Sequence, residues 1–261
     1  QPSELMKLGI ILFVARFFSG QRGLSEYTPF DIWPVIFGII LTFCLIFKQP
    51  DFGTAGICLI IACLQLLFIN ITVNLKTIIY SIVTLIITAF SGWHLLLRPY
   101  QKLRILNLLD PNLDPSGSGY NSIQSLIAIG SGKLFGKGFL MGSQSQLNYL
   151  PEKQTDFVFT MIGEEFGLVG NFFILSLYLA LSLSILRISY LVRSRFSQLT
   201  CMGISMMLFF YVFVNVAMVS GMLPVVGAPL PLISYGGTSM LTVFIGLGIV
   251  TSILIHDRQQ D

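Results

Sequence analysis

A compact polar cluster lies at residues 149–159, between a glycine-rich stretch and a hydrophobic segment long enough to enter a bilayer. It contains Glu152, Lys153, Thr155 and Asp156. A carboxylate so close to hydrocarbon is costly unless it is solvated or paired, so the cluster predicts a polar cavity at a membrane surface. Asp156, assisted by Thr155, is equally suited to cap the N-terminus of the helix that follows, and the two roles are compatible.

Two further acidic residues could face such a cavity. Glu4 and Lys7 are three residues apart, which on a helix places them on one face and within pairing distance. Pro2 suits a first helical turn, so the alternative is a capped helix with an incidental ion pair. Asp51 stands in a tight turn between two hydrophobic segments, where it is either a turn former or helix cap, or a functional carboxylate.

Basic residues recur through the region from residue 98 to residue 156. They are Arg98, Lys102, Arg104, Lys133, Lys137 and Lys153. Such a surface is suited to a phosphate or diphosphate, although a solvated loop beside anionic headgroups accounts for most of these charges. The glycines at 130–138 lack the Walker spacing, so ATP binding is not expected, but their backbone N–H groups could still contact an anion. Glu164 and Glu165 follow, and they either face the cavity or anchor their helix near the interface.

The composition indicates which elements must position these residues. Hydrophobic residues make up 54% of the chain and charged residues only 10%, and the mean hydropathy is +0.81. Soluble domains contain about 25% charged residues, so the chain is predicted to be all-α, a polytopic membrane helix bundle. Its basic residues are scattered among hydrophobic segments, which argues against a nucleic-acid partner.

At about 20 apolar residues per crossing, about seven transmembrane helices are predicted. They cover residues 2–18, 32–47, 52–71, 75–97, 157–186, 199–220 and 232–255. One long loop, residues 98–156, separates the fourth from the fifth. Lys and Arg of the short loops fall mostly on one side, which the positive-inside rule makes cytoplasmic, so the long loop is expected to face outward. The outer side then gathers four polar or proline-rich stretches: 1–7, 49–54, 98–156 and 219–231.

The cysteines and histidines carry no metal-binding pattern. All four cysteines lie inside apolar runs: Cys44, Cys58, Cys63 and Cys201. Without Cys-x-x-Cys spacing they are interpreted as small core residues. The two histidines, His94 and His256, are far apart in the sequence, so a zinc site is not expected. Prolines and paired glycines at 229–239 predict an irregular helix entry, which a membrane protein tolerates where it is buried or lines a cavity.

Taken in order, these motifs resemble the SEDS family of shape, elongation, division and sporulation proteins. The resemblance rests on Gln-Pro-Ser-Glu at 1–4, Gln-Pro-Asp-Phe-Gly-Thr at 49–54, Leu-Pro-Glu-Lys-Gln-Thr-Asp-Phe at 150–157, and the signature at 229–239 with the preceding 215–227. The runs 119–125, 136–138 and 142–147 make the chain most similar to the members that determine rod shape. SEDS proteins have about ten membrane helices, so residues 1–261 are expected to form one SEDS domain that lacks the first three.

The resemblance implies a peptidoglycan glycosyltransferase, a lipid II polymerase of the bacterial cytoplasmic membrane. It implies two partners besides membrane lipids: the lipid II substrate and a class B penicillin-binding protein that cross-links the peptides. The essential aspartate of the family's Thr-Asp-Phe motif corresponds to Asp156, and the family's cavity Glu and Lys correspond to Glu4 and Lys7. Asp156 would then be the general base for the acceptor's 4-hydroxyl, a role that supplies about 10²- to 10⁴-fold.

The leaving lipid diphosphate needs positive charge beside it. Lys153, Arg104, Lys7 or a divalent cation such as Mg²⁺ or Mn²⁺ would supply that charge, and no other cofactor is expected. The residues expected to line the cavity or bind substrate are Glu4, Lys7, Asp51, Arg104, Gln124, Glu152, Lys153 and Thr155.

Two other functions fit the same sequence features. An outward cavity with an intramembrane Glu/Lys pair also suits a lipid II flippase, which would make no glycan in detergent micelles. A scaffold that activates the transpeptidase is the third interpretation, and polymerisation without the partner would argue against it.

Overall fold

The structure is a computed structural model that describes residues 1–20, 27–28, 31–49, 51–69, 97–110, 113–114, 117–146 and 154–258. Within these residues the chain forms helices joined by loops and turns. The helices are α1 (Pro2–Gly20), α2 (Trp33–Lys48), α3 (Phe52–Leu67), α4 (Pro99–Leu109), α5 (Ser118–Ser131), α6 (Ser143–Gln146), α7 (Val158–Leu191), α8 (Arg195–Val219) and α9 (Gly237–Arg258). The all-α prediction is therefore confirmed.

Three helices are long and apolar enough to cross a membrane: Val158–Leu191, Arg195–Val219 and Gly237–Asp257. The shorter apolar helices α2 and α3 also match predicted spans, and α1 begins at Pro2 as expected. The predicted span at 75–97 lies almost wholly outside the described residues. The last span begins at Gly237 rather than at 232, because the proline-containing stretch before it is not helical, as the predicted irregular entry requires.

The region expected to be one long loop contains three helices, α4, α5 and α6. At the start of α4, Pro99 occupies the first helical position and the backbone N–H of Arg98 donates to Gln101 Oε1 at 2.9 Å. Proline is pre-organised for a first helical turn, and the glutamine satisfies an N–H that would otherwise lack a partner. α5 then packs against α7, where the hydroxyl oxygens of Ser125 and Thr160 lie 2.7 Å apart.

Helix α8 is the central helix of the bundle. In its most apolar stretch 72% of the residues are buried, against 22% for α7 and 28% for α9. Large apolar side chains such as Phe172 and Phe173 of α7 and Phe244 of α9 are exposed. Lipid tails are as apolar as leucine, so these faces are suited to contact lipid while α8 is enclosed by protein.

The cysteine prediction is only half right. Cys58 and Cys201 are buried, whereas Cys44 and Cys63 are exposed on α2 and α3. In a soluble protein an apolar run indicates burial, but in a membrane bundle the outward face is apolar as well. An apolar neighbourhood in the sequence therefore does not separate a core cysteine from a surface one.

Helix α7 is broken at Gly167, whose φ of 67° and ψ of −161° belong to a region that only glycine adopts readily. The loop after α5 supplies the hydrogen bonds that the break removes. The amides of Leu168 and Val169 donate to carbonyls of that loop, at Lys133 (2.9 Å) and Leu134 (3.1 Å). The contact is tight, since a Cβ added at Gly167 would lie 2.4 Å from the amide nitrogen of Gly136.

We expect Gly167→Ala to destabilise the protein by about 1–3 kcal/mol or more, because alanine is strained at this φ and ψ and its methyl group meets backbone. Gly248→Ala in α9 is the matched control, since a Cβ there meets nothing within 4 Å. Thermal unfolding of both variants in detergent measures the difference. Equal unfolding temperatures for the two would show that the break in α7 is not held as described.

Candidate functional site

A buried ion pair lies near the start of α1. Lys7 Nζ is 2.6 Å from Glu4 Oε1, and both residues are almost completely buried, with 1% and 3% exposure. The hydroxyl of Tyr211 from α8 donates to the other carboxylate oxygen of Glu4 and accepts from Lys7 Nζ. The pairing predicted from the spacing is confirmed, and Tyr211 closes it into a three-residue network.

Asp51 joins the start of α1 to the start of α3. One of its carboxylate oxygens caps α3 by accepting from the Thr54 amide at 3.1 Å. The other oxygen accepts from Gln1 Nε2 at 2.6 Å and from Ser3 Oγ at 3.3 Å. The cap interpretation is therefore confirmed, and the same side chain also ties together two of the stretches predicted to meet.

Asp156 is half-buried and lies just before α7. The N-cap position of α7 is Phe157, so the interpretation of Asp156 as the cap is wrong. Its position is set through the backbone instead, because Asn215 Nδ2 of α8 donates to the Asp156 carbonyl at 2.8 Å. The same Nδ2 group donates to the Ala228 carbonyl at 2.6 Å, and Ser234 Oγ donates to the carbonyl of Thr155.

Helix α8 relates Asp156 to the Glu4–Lys7 pair. Tyr211, which binds that pair, and Asn215, which binds the Asp156 backbone, are four residues apart. Residues four apart lie on one helix face with a rise of about 6 Å. The aspartate and the ion pair are therefore held by successive turns of one buried helix.

The connection between α8 and α9, residues 220–236, completes this site. A Cβ added at Gly227 would lie 3.3 Å from Asp156 Oδ2, and one added at Gly53 would lie 2.8 Å from the Val226 carbonyl oxygen. Since Gly53 follows the α3 cap residue Asp51 by two positions, the connection touches the surroundings of both aspartates. Residues from the four sequence-distant stretches therefore lie together, as predicted, and the side of the membrane that they face stays a prediction.

Arg104 and Gln124, two other predicted site residues, stand apart from this group. Arg104 of α4 is exposed and lines a separate cavity with Pro224 and Val225 of the α8–α9 connection. Gln124 is half-buried on α5, next to Ser125, which packs on α7. Glu152 and Lys153 lie outside the described residues.

Glu164 does not join the site either. Its side chain is buried in α7 and pairs with Lys137 of the glycine-rich loop, with Nζ 2.6 Å from Oε1. Ser143 Oγ (3.2 Å) and the Gln144 amide (3.1 Å) donate to the same oxygen. The amides of Lys137 and Gly138 donate to the carbonyls of Glu164 and Glu165, so the expectation that these two N–H groups contact an anion is wrong.

Sequence reasoning missed the roles of Tyr211 and Asn215. Both lie inside α8, whose apolar stretch is suitable for a membrane span, and both are 0–1% exposed. The sequence feature that could have identified them is their polarity, because a polar side chain inside a fully buried apolar helix needs a hydrogen-bond partner. Their spacing of four residues adds that the two partners lie on the same side.

A divalent cation is not held by protein ligands alone in the described part of the chain. No group of three or more His, Cys, Asp or Glu side chains gathers there. Mg²⁺ is ordinarily bound by one or two carboxylates together with substrate phosphates and water. Asp156 and Asp51 fit that smaller requirement, as half-buried carboxylates.

The known proteins that this chain is similar to belong to the family that the motifs indicate. Residues 1–259 match the FtsW/RodA/SpoVE family, which is described as cell cycle proteins. The chain is 42% identical to the peptidoglycan glycosyltransferase MrdB of Escherichia coli K12 over 263 residues, which cover 99% of this chain and 69% of MrdB.

Solved structures show the same relation. A chain from a peptidoglycan synthase complex that coordinates polymerisation and cross-linking is 32% identical, with a TM-score of 0.75 over all of this chain and 71% of that one. The crystal structure of the rod shape determining protein RodA of Thermus thermophilus is 27% identical, with a TM-score of 0.64 over all of this chain and 67% of that one.

We expect Lys7→Met to destabilise the protein by about 3–5 kcal/mol, because it leaves the Glu4 carboxylate buried without its cation. The double variant Glu4→Gln/Lys7→Met should recover part of that loss. Lys48→Met, which removes an exposed lysine at the end of α2, should change stability by less than about 1 kcal/mol. Thermal unfolding in detergent ranks the stability of the three variants. A Lys7→Met protein as stable as Lys48→Met would rule out the buried pair.

Proposed function

The chain belongs to the FtsW/RodA/SpoVE family of cell cycle proteins and is a peptidoglycan glycosyltransferase, and we propose that it polymerises lipid II with Asp156 as the general base. The observation that carries the proposal is the placement of Asp156. It is a half-buried carboxylate whose backbone is held by Asn215, one turn of α8 from the buried Glu4–Lys7–Tyr211 network.

The proposed reaction is a displacement at the anomeric carbon of the donor sugar. The 4-hydroxyl of the acceptor sugar attacks that carbon, its proton passes to the Asp156 carboxylate, and the lipid diphosphate leaves with the bonding electrons. Attack opposite to the leaving group turns an α-linked diphosphate into a β-1,4 glycosidic bond, so no covalent sugar–enzyme intermediate is needed. A carboxylate positioned in this way contributes about 10²- to 10⁴-fold.

The Glu4–Lys7–Tyr211 network is proposed to hold the site rather than to contact the reacting atoms. Lys7 Nζ is bound by Glu4 and Tyr211 and is 1% exposed, so it is poorly placed to receive a diphosphate. Its positive charge is already neutralised by the Glu4 carboxylate. Glu4, Lys7 and Tyr211 instead join α1 to α8, and Asp51 joins α1 to α3, which keeps the walls of the site in register.

Positive charge for the leaving diphosphate is proposed to come from outside this network. Lys153 lies three residues before Asp156 in the sequence. A divalent cation such as Mg²⁺ or Mn²⁺ bound to the diphosphate would use Asp51 as its protein ligand, which leaves the Asp156 carboxylate for the proton. Such an ion would neutralise charge that develops on the leaving oxygen.

We place the site on the outer side of the bacterial cytoplasmic membrane. Most of the described basic residues of the short connections support this side: Arg16, Arg193 and Arg195 lie at the opposite ends of their helices from the site, whereas Lys48 lies at the site's end of α2. The positive-inside rule depends on such an excess. We also propose a cross-linking partner, a class B penicillin-binding protein. The likeness to a chain of a complex that couples polymerisation to cross-linking supports this partner.

We expect Asp156→Asn in the full-length protein to abolish glycan-strand synthesis from lipid II while leaving expression and unfolding temperature close to wild type. Asparagine keeps the size and the backbone contacts with Asn215 but cannot take up the proton. Polymerisation in detergent micelles, followed by separation of the glycan strands by size, measures the effect.

Asp257→Asn is the matched control, because Asp257 lies at the far end of α9 from the site, where it accepts a hydrogen bond from the Arg193 amide at 3.2 Å. It should polymerise like wild type. Wild-type rates for Asp156→Asn would remove this residue from the role. Glycan formed in micelles would also exclude a lipid II flippase, since a transporter has no bilayer to act across there and would make no glycan.

A further inference from the structure

A second cavity borders the α8–α9 connection. It has a volume of about 200 Å³ and is walled by α4, α5 and the connection, so it has room for several water molecules. Its polar wall is formed by Arg104, Asn107 and Ser122, and its apolar wall by Leu108, Leu126, Leu223, Pro224 and Val225. A smaller space shares Arg104, Pro224 and Val225 and extends to Tyr100 and Val226.

Arg104 is the only charged residue that lines either space among the described residues. The two ion pairs of the described chain are Glu4–Lys7 and Lys137–Glu164, and neither involves Arg104. Its guanidinium lies 5.9 Å from the ring centroid of Tyr100. A guanidinium beside apolar walls, with no carboxylate of the described chain bound to it, is suited to an anion, which it can bind through two parallel hydrogen bonds.

The cavity lies within reach of Asp156. Val225 lines it and Val226 lines the smaller space, while Gly227 adjoins the Asp156 carboxylate. Two residues of extended chain span at most about 7 Å. A substrate whose sugar reaches Asp156 therefore has its neighbouring groups at a suitable distance to enter the cavity.

We propose that this cavity is a substrate subsite, in which Arg104 binds an anionic group carried beside an apolar one. The proposal rests on the proposed function. Two parts of lipid II have that chemistry: the diphosphate next to its isoprenoid chain, and the terminal carboxylate of the stem peptide next to its alanine methyl groups. Arg104 is on this basis a binding residue, and Asp156 carries out the proton transfer separately.

The test uses Arg104→Gln in the full-length protein, with Arg104→Lys as the conservative variant and Lys102→Gln as the matched control. Lys102 stands on the same helix but does not line either space. Farnesyl diphosphate and acetyl-Lys-D-Ala-D-Ala are the binding probes for the two anionic groups, measured by calorimetry in detergent. KM and kcat for lipid II are measured in the same preparations.

We expect Arg104→Gln to weaken one probe about tenfold or more, because a charge-assisted hydrogen bond is lost, and to raise KM with little change in kcat. The probe affinity and KM of Arg104→Lys should lie between those of Arg104→Gln and wild type, and Lys102→Gln should match wild type in both. The probe that is affected identifies the group that occupies the cavity. If wild type binds neither probe, or Arg104→Gln binds both as tightly as wild type, the subsite is excluded. Probe binding needs no catalysis, so a wild-type protein that bound a probe but made no glycan would contradict the proposed function alone.

Discussion

Polar groups that are buried in an apolar bundle must be satisfied from within the protein, and here that requirement falls on one face of α8. Tyr211 binds the Glu4–Lys7 pair, and Asn215 binds the backbone carbonyls of Asp156 and Ala228. Leaving such a group unpaired costs about 1–3 kcal/mol, and more for a charged one. These bonds therefore decide which ends of α1, α7 and the α8–α9 connection can meet, and the site forms where they do.

A second constraint acts on α7, the helix that follows the proposed base. Its break at Gly167 leaves backbone groups that the glycine-rich loop satisfies, and the Lys137–Glu164 pair binds the same loop through side chains. Asp156 is thus held from α8, while the helix after it is held by the loop that precedes it in the sequence. Each attachment uses polar groups that are costly to leave unmet in an apolar surrounding. The position of the carboxylate follows from both.

Local spacing made part of this site predictable. The Glu4–Lys7 pair and the Asp51 cap depend on residues within three positions of one another, and both are among the roles that the sequence predicts. The roles of Tyr211 and Asn215 depend on partners that are distant in sequence, so their spacing alone could not assign them. The capping role of Asp156 was wrong, since capping is a local rule and the contact with Asn215 overrides it. The helices within 98–156 were not predicted, because hydropathy identifies membrane spans but does not distinguish a short polar helix from a loop.

The central claim is that the Asp156 carboxylate, in a pocket that water can enter, takes the proton from the attacking sugar. Chemical rescue of Asp156→Ala in lipid II polymerisation tests it most directly, because the smaller side chain leaves room for a free carboxylate. We expect almost no glycan from this variant in chloride buffer, and a rate that increases with added formate. A variant that polymerises in chloride as fast as wild type, with no response to formate, would contradict the claim.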